Sequence, residues 1–249
     1  MSRSRDLDWD GCLNVRDLGG HRAEDGGETH YGAVVRADSI RQLTDEGWAA
    51  AVDYGVRTIV DLRMDVELEA DPPAELPVDV VHVPIFQNDN EEAFAEVEAA
   101  ATSAPDYAAA TREVYLVFLE RFRDNVAGAI AAVARAPEGA VVVHCMGGKD
   151  RTGLVTALLL RLAGVDNEQI AADYALSEER LQPRHAAWLE EAGTEAERER
   201  IRRIAATPAE SMVGVLVELE RRYGSVEAYL RAGGITDEDL RLVRDRLRG

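Results

Sequence analysis

Residues 141–160, VVVHCMGGKDRTGLVTALLL, constrain the fold of this chain more than any other stretch. A continuous β-branched run bounded upstream by Pro137-Glu138-Gly139 predicts a buried strand. The apolar stretch beginning at Gly153 predicts a helix that ends near Gly164. Between them lies a Gly-rich loop. A strand, a glycine loop and a helix start in that order make an anion site from backbone alone. The first turn of a helix leaves its N–H groups unpartnered, and the helix dipole places about half a positive charge there. Gly147 and Gly148 are expected to let the backbone curl, where Cβ atoms would hinder it.

The rest of the chain supplies partners for such a strand. LNVRDLGGHRAEDGGETHYGAVVRADSI reads as two short strands around the Asp25-Gly26-Gly27 turn. TDEGWAAAVDYG reads as a helix capped by Thr44 and closed by Gly55. RTIVDLR is a buried strand ending at Asp61, and VDVVHVPI repeats its pattern. From Phe86 to Gly128 the chain is helical, and its first, acidic and alanine-rich part reads as an insertion: a solvated surface helix or a mobile lid. Residues 166–249 form a helical C-terminal layer with breaks expected at Asp166, Pro183, Gly193, Pro208 and Gly224. Strands interleaved with helices indicate an α/β fold with a mostly parallel sheet flanked by helices. Length and the lack of repeats favour one domain over 1–249.

Charge and cysteine usage narrow the partners. A net charge of −19 repels polyanions and argues against nucleic acid or an anionic membrane surface. Any phosphate site must therefore be locally basic. No window approaches the roughly 18 uninterrupted apolar residues of a membrane span, and the first residues lack the apolar body of a secretory signal, so cytoplasmic residence is expected. The two cysteines, Cys12 and Cys145, resemble neither a disulfide framework nor a metal-ligand cluster, and a reducing compartment suits them. Cys12 reads as an inert small apolar residue.

Into the loop the sequence places one thiol, Cys145, and six residues later one guanidinium, Arg151. The loop's positive field favours the thiolate, which makes Cys145 a candidate nucleophile. Arg151 can bind two equatorial oxygens of a phosphoryl group and stabilise the charge that spreads over them in transfer. Thr152 is positioned by sequence to donate its hydroxyl toward the sulfur as leaving group. Met146, Gly147, Gly148, Lys149, Asp150 and Arg151 complete the expected phosphate cradle. His144 reads as a residue that holds the loop. Asn14, Arg16 and Asp17, like Arg36 and Asp38, read as buried polar braces.

The string HCMGGKDRTG resembles the signature loop of protein tyrosine phosphatases, in the version with Lys-Asp before the arginine. That version is similar to an atypical bacterial family of tyrosine/serine phosphatases, some of which also act on phosphoinositides. The likeness extends to NVRDLGG at 14–20, VDLR at 60–63 and YGSVEAYLRAGGI near the C-terminus. Met146 and Gly147 stand where the family more often has an aromatic or polar residue followed by alanine. The resemblance implies hydrolysis of phosphate monoesters through a phosphocysteine, without metal or organic cofactor, on phosphorylated proteins or small phosphate monoesters. It further implies general-acid work for Asp150 and recognition of additional substrate phosphates by Lys149, the chain's only lysine. Asp61, at the end of a strand expected beside the loop strand, competes with Asp150 for the acid's role, its bland alternative being a salt bridge to Arg16 or Arg63. Either acid would need a raised pKa. A phosphoinositide phosphatase, a silent phosphate-binding module and a sulfur transferase are the competing functions.

Overall fold

The computed structural model describes residues 3–71, 78–86 and 90–249. Its organising element is β5 (Ala140–His144), with every residue buried. A strand buried on both faces needs a neighbour on each side. β2 (Val34–Ala37) and β3 (Val56–Asp61) flank it in parallel, with Ala37 and Asp61 both in register with His144. β4 (Asp79–His82) extends the sheet beyond β3 in parallel, and β1 (Arg16–Asp17) pairs antiparallel with β2, giving the order β1-β2-β5-β3-β4. The mixed, mostly parallel α/β sheet expected from the sequence is therefore present. β4 departs from the reading of VDVVHVPI as a second buried strand: among the described residues it is an edge strand, with all of its residues exposed.

Alternation along the strands separates two apolar layers. Val34, Val60, Val141 and Val143 face a large cluster built with α5 (Arg123–Arg135), α6 (Asp150–Leu162) and the C-terminal helices. Val35, Ile59 and Val142 face a smaller one with Trp9, Val15, Ile40 and Ala51. Each fully buried valine contributes roughly 1.5–3 kcal/mol, so the triplet Val141–Val143 anchors both layers at once.

Local signals place the connections. α1 (Asp45–Tyr54) is capped by the Thr44 side chain accepting from the Gly47 N–H and is closed by Gly55 at φ 103°, as its sequence predicts. The Asp25-Gly26-Gly27 turn lies in the excursion between β1 and β2, with Asp25 accepting from the Gly27 N–H. α2 (Asp65–Ala70) follows β3. The helical stretch read between 86 and 128 resolves into α3 (Glu91–Ser103), α4 (Tyr107–Arg121) and the start of α5, the latter two parting at Phe122. α3 lies at the surface, whereas Tyr115, Leu116 and Leu119 carry α4 into the core. α6 is buried nearly all round, as a helix without a polar face must be.

Over it lie α7 (Asn167–Glu191), α8 (Glu195–Ala205), α9 (Ala209–Tyr223), α10 (Val226–Ala232) and α11 (Asp237–Arg248). Asp166, Gly193, Pro208 and Gly224 fall at helix ends as expected. Pro183 does not: α7 runs through it. Glu179, whose carbonyl loses its partner N–H there, and Pro183 are both exposed, so water can satisfy the freed oxygen while Leu181 and His185 keep the helix packed. No helix among the described residues is long and apolar enough to cross a membrane.

Candidate active site

The carboxyl ends of β2, β3 and β5 converge where the sheet hands over to α6, the edge at which α/β folds bind ligands. From His144 the chain turns through Cys145–Lys149 into the first turn of α6. The loop's carbonyls point outward and are tied down. Met146 O accepts from the Ser39 N–H at 3.0 Å. Gly147 O and Gly148 O each accept from Asn14 Nδ2 at 3.1 Å, and Gly148 O also accepts from Arg36 at 2.8 Å. Lys149 O accepts from the Gly153 N–H at 2.9 Å. Among the described residues, no backbone N–H from Met146 to Thr152 donates to a protein acceptor. Peptide planes whose oxygens are held outward turn their N–H groups to the inside, which is the geometry of an oxyanion cradle.

Gly148 and Gly147 are not equivalent in that curl. Gly148 has φ 62°, and a Cβ there would meet Ala37 O at 2.4 Å. Gly147 lies outside the left-handed region, and the nearest atom to its Cβ position, Lys149 Cβ, is 4.0 Å away. The expectation that both glycines are sterically required is thus corrected: β2 crowds position 148 alone.

The braces read from the N-terminal motif form one connected network. Asn14 is fixed by the Arg16 guanidinium on its Oδ1 at 2.6 Å and by Asp38, which accepts from the Asn14 N–H at 2.9 Å. Arg16 and Arg36, 0% and 1% exposed, both bind the buried carboxylate of Asp173 on α7, at 3.0 and 2.7 Å. Burial alone would raise the Asp173 pKa, but the charges of Arg16 and Arg36 hold it well below the usual carboxylate range. Asp38 is in turn tied to Arg184, and Asp17 accepts the N–H groups of Gly19 and Gly32.

Cys145 is buried at the base of the loop, and Arg151 is 9% exposed on the first turn of α6. Glu67 of α2 grips both terminal nitrogens of the guanidinium, NH2 at 2.8 Å. Burial lowers the Arg151 pKa, but Glu67, followed by the charge of Cys145, raises it above the usual arginine value. The sulfur and the guanidinium therefore share one electrostatic neighbourhood. Thr152 Oγ1 is buried and has no hydrogen-bond partner among the described residues, so the expected bond to the sulfur is not formed. Met146 is the exposed residue at the rim.

The two aspartates differ in kind. Asp61 is 3% exposed and clamped by Arg63 through Nε at 3.0 Å and NH2 at 2.8 Å, with His144 Nε2 3.5 Å away. Although burial raises its pKa, the nearby His144 and the hydrogen bonds from Arg63 hold it far below the usual carboxylate range. Of the alternatives its sequence left open, Asp61 forms the strand-end salt bridge, with Arg63 rather than Arg16. Asp150, at the first position of α6, keeps a side chain 47% exposed; its Oδ1 accepts from Tyr115 OH at 2.5 Å and lies 3.5 Å from Lys149 Nζ. The Lys149 ammonium also donates to the Ile204 carbonyl at the end of α8. Asp150, Lys149 and Tyr115 line a cavity of about 660 Å³ together with Ala104, Tyr107 and Arg203.

Sequence reasoning missed Glu67, Tyr115 and Asp173. Nothing in a one-dimensional motif marks a carboxylate from another element as the partner of a loop arginine. The isolated polar Asp173 on the core face of a helix is the one signal that was present.

A loop of amides unpartnered among the described residues, with a buried cysteine at its base and an arginine on the following helix, on the carboxyl edge of an α/β sheet, has the geometry of an anion cradle. The sequence comparisons agree: residues 7–249 match the model of the tyrosine phosphatase family, and the chain belongs to that family. It is 30% identical over 228 residues to a tyrosine-protein phosphatase of Nostoc commune, covering 86% of this chain and 74% of that protein. It is 28% identical over 275 aligned positions to the triple specificity protein phosphatase PtpB of Mycobacterium tuberculosis, covering 96% of this chain and 98% of that one. The protein is a phosphatase of the protein tyrosine phosphatase class, a hydrolase acting on phosphorylated substrates.

Proposed function

We propose that this enzyme hydrolyses protein phosphotyrosine through a phosphocysteine formed on Cys145, with Arg151 clamping the transferred phosphoryl group and Asp150 acting as general acid. The observation that carries the reading is the loop itself, with its carbonyls tied outward and its N–H groups from Met146 to Thr152 unpartnered among the described residues. In the first step the Sγ–P bond forms as the P–O bond to the leaving group breaks, and Asp150 gives its proton to the departing oxygen. In the second, water attacks phosphorus, its proton returns to the Asp150 carboxylate, and the S–P bond breaks to release phosphate and thiolate. The amides and the guanidinium meet the charge that spreads over the equatorial oxygens in both steps. Glu67, by holding two guanidinium nitrogens, fixes the plane of that clamp.

The cavity on which Asp150 opens takes the alcohol part of the ester. The C-terminal end of α3 walls it, the position the lid reading requires. A reducing cytoplasm would keep the free Cys145 thiol competent. A second reading, dual or wider specificity including phosphoinositides, is supported by two cations on this cavity, Lys149 and Arg203; that the mycobacterial relative is a triple specificity phosphatase favours the wider range in general. Cys145→Ser should retain phosphate binding and lose turnover of phosphotyrosine peptide; appreciable residual hydrolysis would sink the mechanism. Relative kcat/KM on phosphotyrosine peptide, phosphoserine peptide and a soluble phosphoinositide ranks the substrates.

A further inference from the structure

Tyr115 is left without a role by the reading above, although its hydroxyl makes a short contact to the proposed acid. It sits on α4, 3% exposed, with its OH 2.5 Å from Asp150 Oδ1 and 2.9 Å from Tyr174 OH of α7. Tyr174 is 1% exposed and packs edge-on against Tyr115, the ring centroids 6.1 Å apart at 82°.

The ionised Asp150 can only accept, so the single phenolic proton of Tyr115 goes to its Oδ1; Oδ1 stays the acceptor when the acid carries its proton on Oδ2. The Tyr115 oxygen then accepts, and Tyr174 must be the donor. Burial, reinforced by the charge of Asp150, pushes the Tyr115 phenol well above its ordinary value, and burial pushes Tyr174 up likewise. Both therefore remain protonated donors across the working pH range. Lys149 Nζ also faces Oδ1, at 3.5 Å. Among the described residues no donor reaches Asp150 Oδ2. With Oδ1 held as the acceptor, Oδ2 is left for the transferable proton, and Asp150 lines the cavity it shares with Tyr107 and Arg203.

We propose that Tyr115, supported by Tyr174, is a positioning residue for the general acid: it holds Asp150 Oδ1 so that Oδ2 presents its proton to the leaving oxygen. The inference rests on the assignment of Asp150 as acid. Removing the donated bond should therefore leave the acid less well oriented.

The test compares wild type, Tyr115→Phe, Tyr174→Phe and Asp150→Asn on phenyl phosphate, whose leaving group is poor, and on p-nitrophenyl phosphate, whose leaving group is good. Competitive inhibition by inorganic phosphate reports the state of the loop. For Tyr115→Phe we expect kcat on phenyl phosphate to fall about tenfold and on p-nitrophenyl phosphate less than about twofold, part of the roughly 10²–10⁴-fold that general acid catalysis supplies. KM and phosphate inhibition should be unchanged, and Tyr174→Phe should show the same pattern more weakly. Equal losses on both substrates, or a loss carried by KM rather than kcat, would overturn the positioning role and leave a structural tyrosine. If Asp150→Asn discriminates between the substrates and Tyr115→Phe does not, only this inference fails. If Asp150→Asn does not discriminate either, the assignment of the acid fails and this inference with it.

Discussion

Asp173→Asn should unfold this protein far more readily than its distance from the nucleophile would indicate. The native carboxylate, 1% exposed, accepts from Arg16 Nε at 3.0 Å and Arg36 NH1 at 2.7 Å, with Arg5 at 3.3 Å. Arg16 and Arg36 are themselves 0% and 1% exposed, so neither guanidinium can turn to water when its counter-charge is removed. An asparagine keeps one acceptor oxygen and aims an NH₂ at a guanidinium. Breaking a buried pair in this way costs about 3–5 kcal/mol, a large share of the roughly 5–15 kcal/mol that holds a domain folded. Urea titration at pH 7 should show that loss in the extrapolated unfolding free energy with an unchanged slope. Thermal unfolding should move down by about 6–20 °C, at roughly 2–4 °C per kcal/mol for a chain of this size.

The same carboxylate gives a pH signature of definite sign. Its folded pKa is depressed by Arg16 and Arg36. Its contribution is thus fully present above the unfolded value of about 3.9 and is lost as pH falls toward the folded one. Wild-type stability should decline steeply below about pH 4, and Asp173→Asn should decline less steeply there. A loss under about 1 kcal/mol at pH 7, or parallel acid limbs in the two proteins, would refute the claim that this carboxylate compensates two buried cations. Because Arg36 also holds the Gly148 carbonyl, phosphate inhibition should weaken in the variant as well.

Other substitutions separate parts of the site. Gly148→Ala, which puts a Cβ 2.4 Å from Ala37 O at φ 62°, should cost at least about 1–2 kcal/mol in denaturant titration and abolish phosphate binding, whereas Gly147→Ala should fold and turn over within about twofold of wild type. Glu67→Gln should leave Cys145 intact but loosen the guanidinium, lowering kcat/KM on phosphotyrosine peptide by about 10-fold, on the scale of one lost charge-assisted bond. Lys149→Met should affect a doubly phosphorylated substrate more than a monophosphate, read as the ratio of the two kcat/KM values; an unchanged ratio would leave Lys149 as no more than a tie to α8 and Asp150.

The loop, its strand and its helix were legible because local rules act there without competition: β-branched residues in a run, glycine at a positive φ, an apolar helix behind. α1 was readable for the same reason, with both of its caps written in sequence. The reading failed where a distant element decided the outcome. For Asp61 the sequence left two readings open, a competing acid or a salt bridge to Arg16 or Arg63, and only the fold shows Arg63 turned back onto it. Pro183 looked like a break, but only a solvent-facing carbonyl is lost there. Gly147 and Gly148 read alike, yet β2 crowds one of them alone. Glu67 and Tyr115 reach the site from helices separated from the loop by 84 and 35 residues, a juxtaposition no spacing rule encodes.

The central claim is that Cys145 itself carries the phosphoryl group during turnover. Acid-quenching the enzyme within milliseconds of mixing with an aryl phosphate, followed by mass spectrometry of its peptides, tests it directly. The account predicts one phosphoryl group on the peptide containing Cys145, absent from Cys145→Ser. Steady turnover with that peptide unmodified, or with the label on another residue, would contradict it.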